Sequence, residues 1–143
     1  MALRRFGTID SETRRLFDDL LERILAELPE SIQQLLEEVP LIVEDEPSPR
    51  LLREMGLSRH DTLLCGLHWG IPLTHRSVEH SATMPDRMML FRGPILRTAG
   101  YRLGRQAASA MDELERQIRI TLLHEIGHHF GLDEDDLAAL GYG

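Results

Sequence analysis

Three residues near the C-terminal end, His124, Glu125 and His128, stand in the order His-Glu-x-x-His, and Gly131, Asp133 and Glu134 follow closely. Side chains four apart on a helix share one face, with Cβ atoms about 5–6 Å apart. Two imidazoles at that spacing can converge on a single ion at zinc–nitrogen distances of about 2.0–2.1 Å. With about 100° of rotation per residue, Glu125 borders the face that holds His124 and His128 without competing as a ligand. A carboxylate in that place can act as general base toward a water activated at the metal. The expected cofactor is therefore Zn2+, with Glu125 as the catalytic group.

Two histidines are only two ligands, and a catalytic zinc site needs a third plus an open position. Gly131 lies where the helix should stop, and a glycine just past a helix end can turn the chain sharply in the left-handed region. The residue ten after His124 can then swing back beneath the metal. That residue is Glu134, and a carboxylate is an acceptable third ligand beside two histidines. His75 and His80, in a polar stretch, are the fallback third ligands. Asp133 reads as a helix cap, and Asp135 and Asp136 as the acidic first turn that such a helix favours.

The five-residue motif alone should arise by chance in roughly three chains in a hundred of this composition, and requiring Gly131 and an acid at position 134 lowers that roughly seventyfold. A surface helix with incidental histidines is thus the weaker reading. So is a closed structural zinc site, which would ordinarily use cysteines. His129 lies about 140° around from His124 and reads as a packing or supporting residue. His60 and His68 read as polar surface or hydrogen-bonded histidines.

The elements that must position this group form an α+β pattern. Asp10 or Ser11 caps a first helix whose apolar stripe is Leu16, Phe17, Leu20, Leu21, Ile24, Leu25 and Leu28, at amphipathic spacing. Pro29 interrupts it, and a short second helix carries Ile32, Leu35, Leu36 and Val39. Leu41-Ile42-Val43 reads as a strand running into the acidic turn Glu44-Asp45-Glu46-Pro47. Leu51 to Met55 forms a helical turn stopped by Gly56. Leu63 to Trp69 reads as a second strand and Arg87 to Arg92 as a third, broken at Gly93-Pro94. Ile95-Leu96-Arg97 extends it or forms another strand. The stretch 73–85 is polar and loop-like. A helix of about 20 residues starts near Ser109 or Asp112 and ends at Phe130, and a short last helix holds Leu137, Ala138 and Leu140. The expected architecture is a small, mostly antiparallel or mixed sheet packed against helices, with the metal-binding helix near the C-terminus.

The chain has 143 residues and a formal net charge of -8. That length suits one domain over 1–143, with residues 1–9 loosely ordered. The negative charge argues against nucleic-acid and anionic-membrane partners, which need clustered positive charge. All 16 basic residues are arginine, which carries no functional reading. The single cysteine, Cys65, cannot form an internal disulfide and fits a reducing compartment. It reads as a small buried core residue. No apolar run suggests a signal peptide or a membrane span, so the expected location is cytoplasmic.

Beyond the motif, Val43-Glu44-Asp45-Glu46-Pro47, Asp61-Thr62-Leu63-Leu64, Pro72-Leu73-Thr74, Pro85-Asp86-Arg87 through Leu90-Phe91-Arg92-Gly93-Pro94, and Leu140-Gly141-Tyr142 resemble segments of a bacterial zincin-like metallopeptidase family with a minimal, matrix-metalloprotease-like fold. The resemblance covers about residues 10–143. It implies a compact α+β domain, His124 and His128 as ligands, Glu125 as catalytic acid/base and Glu134 as third ligand. Longer zincins of the metzincin type instead carry a third histidine at the tenth offset and a methionine turn after the motif. This chain has Glu134 there and no later methionine.

The implied activity is metal-assisted hydrolysis of a peptide bond in a peptide or protein substrate, with the Arg87–Arg92 strand as an edge on which an extended peptide could pair. Two other readings compete. Small bacterial metal-dependent endoribonucleases use His-x-x-x-His with a third histidine, but they usually carry glycine where this chain has Glu125. A non-catalytic interaction module could also keep a zincin scaffold and its metal.

Overall fold

The computed structural model describes residues 9–58, 64–69, 87–101 and 108–139. Helix α1 (Ser11–Glu27) starts as its sequence dictates: the Asp10 carboxylate accepts the Thr13 N–H at 2.7 Å, which satisfies one of the unpaired donors of the first turn. Its stripe of Phe17, Leu20, Leu21 and Ile24 is buried. Pro29 then opens α2 (Glu30–Leu36), and Val39 follows that helix rather than belonging to it, although it is buried. Ile9 is also buried, while the rest of the expected lead-in lies outside the described residues.

Three short strands form one mixed sheet in the order β1-β3-β2. Strand β1 (Leu41–Glu44) runs parallel to β3 (Arg87–Phe91), with Leu41 opposite Met88 and Glu44 opposite Phe91. Strand β2 (Gly66–Trp69) runs antiparallel to β3, with Gly66 opposite Leu90. The third strand is therefore the inner one, and the expectation that Arg87–Arg92 offers an edge to a peptide is overturned. Both of its sides already have partners, and the strand bordering the motif helix is β2. Between β1 and β2 lies α3 (Pro49–Glu54). It is capped by the Ser48 hydroxyl, which accepts the Leu51 N–H at 3.0 Å, and stopped at Gly56, whose φ is 76°.

Ile95-Leu96-Arg97 is helical, not a strand. Helix α4 (Arg92–Thr98) begins directly after β3. Pro94 sits in its first turn, where a missing N–H costs nothing, and the Gly93 N–H bonds the Asp45 carbonyl at 2.8 Å. Gly93, Pro94, Ile95 and Leu96 are all buried. A short apolar run buried on every side has no period by which strand and helix can be told apart.

The long helix α5 (Ala108–Phe130) has 23 residues. It begins ahead of Ser109, so Ser109 and Asp112 lie inside the helix and neither is its cap. Leu114, Ile118, Leu122 and Ile126 are fully buried along one stripe, against α1, α4 and the sheet. Gly131 has φ 68°, and the Leu132 N–H reaches back to the Gly127 carbonyl at 2.8 Å. This is the left-handed stop the sequence calls for. It turns the chain into α6 (Glu134–Ala139), which contacts α5. No helix among the described residues is long and apolar enough to cross a membrane.

Candidate metal centre

Helix α5 sorts the motif by face. His124 and His128 lie on its exposed side, while Glu125 continues the buried stripe and is only 5% exposed. The imidazole rings stand 4.1 Å apart at an interplanar angle of 61°. One potential ligand atom from each of His124, Glu125 and His128 lies within 4.8 Å of the others. Among the described residues this is the one such group.

The Glu125 carboxyl is held in a costly place. Its Oε1 is buried and has no hydrogen-bond partner among the described residues; the nearest candidate, His128 Nδ1, is 3.7 Å away. Leaving such an acceptor unsatisfied costs about 1–3 kcal/mol. Burial lifts this carboxyl from 4.5 to about 7, which suits a base that must accept and release a proton near neutrality. The pKa of His128 is pulled down, first by burial and then by repulsion from His124. That keeps the ring neutral, the form that binds metal. Two imidazoles on one exposed face, with an orphaned carboxylate oxygen beside them to take up a proton, make a group that zinc fits.

Strand β2 forms the opposing wall. A Cβ placed on Gly66 would stand 2.9 Å from Thr121 Cγ2, 3.1 Å from Glu125 Cγ and 3.2 Å from Glu125 Oε2. Only glycine lets the strand approach this closely. Thr121 is locked in turn, its hydroxyl donating to the Gln117 carbonyl at 2.8 Å. A second tie joins the same two elements: His68 Nε2 lies 2.7 Å from Nδ1 of His129, whose ring is 1% exposed. His129 is thus the buried supporting residue its helical angle implies, and His68 a hydrogen-bonded histidine.

Between β2 and α5 runs a cleft of about 640 Å³, bordered by Met55, Leu64, Leu67 and Ile120 as well as the motif residues. That is large enough to seat parts of a small ligand or a peptide. The motif alone reveals none of these lining residues. A glycine inside a strand pattern is the one sequence signal that could have pointed to Gly66. Cys65 also borders the cleft; it is half-buried and packs against the core. Burial pushes its thiol up, so it is not poised as a nucleophile.

Asp133 is the helix cap its position suggests. Its Oδ1 accepts the Asp136 N–H at 2.8 Å, and Asp136 Oδ2 accepts the Asp133 N–H at 2.9 Å. The Glu134 side chain lies outside the described residues, as do the fallback ligands His75 and His80. The backbone at position 134 is the first residue of α6, directly after the Gly131 turn.

The model of one family, described as zincin-like metallopeptidase, matches residues 36–143. The match takes in the whole sheet, α5 and α6, and starts after α1. No curated protein matches the chain. The chain belongs to the zincin-like metallopeptidase family.

Proposed function

We propose that the protein is a zinc-dependent peptidase that hydrolyses a peptide bond in the cleft between β2 and α5. His124 and His128 would hold the ion, with Glu134 completing the set from the start of α6. The chemistry such an ion supplies when bound is Lewis acidity toward a water and a peptide carbonyl. Glu125 takes up the proton that the attacking water loses and returns it to the nitrogen of the leaving amine. Its burial keeps bulk water from satisfying the carboxylate, and Gly66 and Thr121 fix where it points. An extended substrate would pair with β2, which has β3 on one side only among the described residues. The observation that carries this reading is the buried Glu125 oxygen, without a hydrogen-bond partner among the described residues, set beside two exposed histidines.

Metal analysis of the purified protein should find about one zinc per chain. Glu125→Gln should keep that zinc and lower cleavage by about 10²–10⁴-fold, the usual contribution of a positioned general base. A wild-type, zinc-loaded protein that cleaves no member of a broad peptide library would sink the peptidase reading.

A further inference from the structure

Among the described residues, the buried polar side chains are Thr13, Thr121, Glu125 and His129. The last three stand four apart on α5, so they form one row along the helix. Strand β2 lies against that row. Gly66 and His68 are two apart, which puts both on one face of the strand. Gly66 meets Thr121 and Glu125. His68 meets His129, its Nε2 2.7 Å from Nδ1 and the ring centroids 4.7 Å apart. The row therefore touches the strand in two ways. At Gly66 the contact is steric, for the backbone presses close to the Glu125 side chain and glycine has no side chain with which to hold it. At His68 the contact is directional, because at this distance one ring nitrogen must donate a proton and the other accept it. His129 is 1% exposed, so bulk water does not reach that end of the bond.

Glu125 can act as a base only if its carboxyl keeps a set place beside His124 and His128, and β2 bounds that place. A strand free to lift from α5 at position 68 would open the room that Gly66 now closes. We propose that His68 is a positioning residue for Glu125: its bond to His129 clamps β2 on α5 and so fixes the carboxyl against which Gly66 presses. His68 acts here through the strand and not by contact with the reacting atoms. This rests on the peptidase reading and deepens it.

The test compares two amides of different reach in the full chain. His68→Gln can donate or accept and so restores the bond in either tautomer, whereas His68→Asn carries the same amide on a shorter stem. His68→Thr, which suits a strand, is a second variant that deletes the bond should Asn not fold. With zinc bound and the most readily cleaved library peptide as substrate, His68→Asn should lower kcat about tenfold or more and leave KM and zinc affinity within about threefold. His68→Gln should return kcat to within about threefold of wild type. In a chain that also carries Glu125→Gln, His68→Asn should change the residual rate by about threefold or less, since the group it positions is gone. A second readout needs neither metal nor turnover: carbodiimide labelling of carboxyl groups in the metal-free chain, located by mass spectrometry. Labelling of Glu125 should rise about fivefold or more in His68→Asn and fall back in His68→Gln, while Glu115 and Asp45 stay level. A loss confined to KM, a parallel loss of zinc, a kcat that Gln does not restore, or unchanged Glu125 labelling would overturn the inference. The two readings fail separately. If wild type cleaves nothing, the peptidase falls and the labelling alone decides whether His68 places the carboxyl. If wild type and His68→Asn cleave equally well, the peptidase stands and the positioning role falls.

Discussion

Glu125 is where helix geometry and burial conflict most sharply. Its place in the motif puts it one step around from the metal face, and that step lands on the stripe that faces the sheet. Its carboxyl, ordinarily near 4.5, sits at about 7 because of burial. The sign of the resulting pH effect follows directly. Below 4.5 folded and unfolded chains both hold the proton, and burial carries no charge penalty. Between 4.5 and 7 the unfolded chain releases it first, so stability falls as pH rises. Above 7 the full cost, about 3 kcal/mol, is present. In metal-free protein, the stability of Glu125→Gln relative to wild type should therefore grow across that window, which urea unfolding with a chelator at several pH values would show. A difference that does not change with pH would mean the carboxyl is not desolvated. At this scale the sequence was legible where one helix carried all the partners. His124, Glu125 and His128 follow from spacing alone. Gly66, His68 and Ile120 do not, because their importance depends on which strand and which face pack beside the motif.

Between elements, the site depends on turns and ties that lie outside the motif. Gly131 stops α5 in a left-handed conformation, which costs a residue with a Cβ about 1–2 kcal/mol. Gly131→Ala should destabilise the fold by about that amount, and it should weaken zinc affinity further if Glu134 is the third ligand; Gly131→Asn should recover part of both losses, since Asn tolerates this region better. Thermal unfolding and zinc titration of the two variants measure the two effects. At the other end of the sheet, Arg92 grips both carboxylate oxygens of Asp18 at 2.9 Å and one of Asp45 at 2.9 Å, while Arg14 reaches Asp45 at 2.6 Å. This ties α1 to the acidic turn after β1 and to the start of α4. The Arg14 guanidinium first, with help from Arg92, holds the Asp45 carboxyl below its ordinary 3.8. The stability this contributes is fully present above 3.8 and is lost as pH falls through the lowered value. Asp45→Asn should cost about 1–2 kcal/mol at pH 7, partial exposure keeping it modest, and the gap to wild type should close in strongly acidic solution. The helices, their caps and the Gly131 stop were readable because they are set locally. The inner position of β3 and the helical state of Ile95–Arg97 were not, since pairing order and all-round burial are tertiary facts.

For the whole molecule, the exposure of the two histidines joins metal binding to folding in a measurable way. His128 keeps 57% of its side chain exposed, so removing it should hardly disturb the metal-free fold, whose core lies on the opposite stripe of α5. An ion that binds only the folded chain adds about 2.7 kcal/mol at a free concentration a hundredfold above its dissociation constant. For a chain of 143 residues that corresponds to a rise in melting temperature of about 10 °C. Zinc should therefore raise the melting temperature of wild type and of Glu125→Gln by similar amounts, and that of His128→Ala by far less, while all three melt close together in chelator near pH 5, where the buried carboxyl is largely protonated. The comparison also guards against a false positive. With a net charge of -8, a divalent cation has other carboxylates to visit, including Glu44, Glu46 and Glu54 around the charged cleft. Stabilisation that survives His128→Ala would place the ion there and refute the His124–His128 centre.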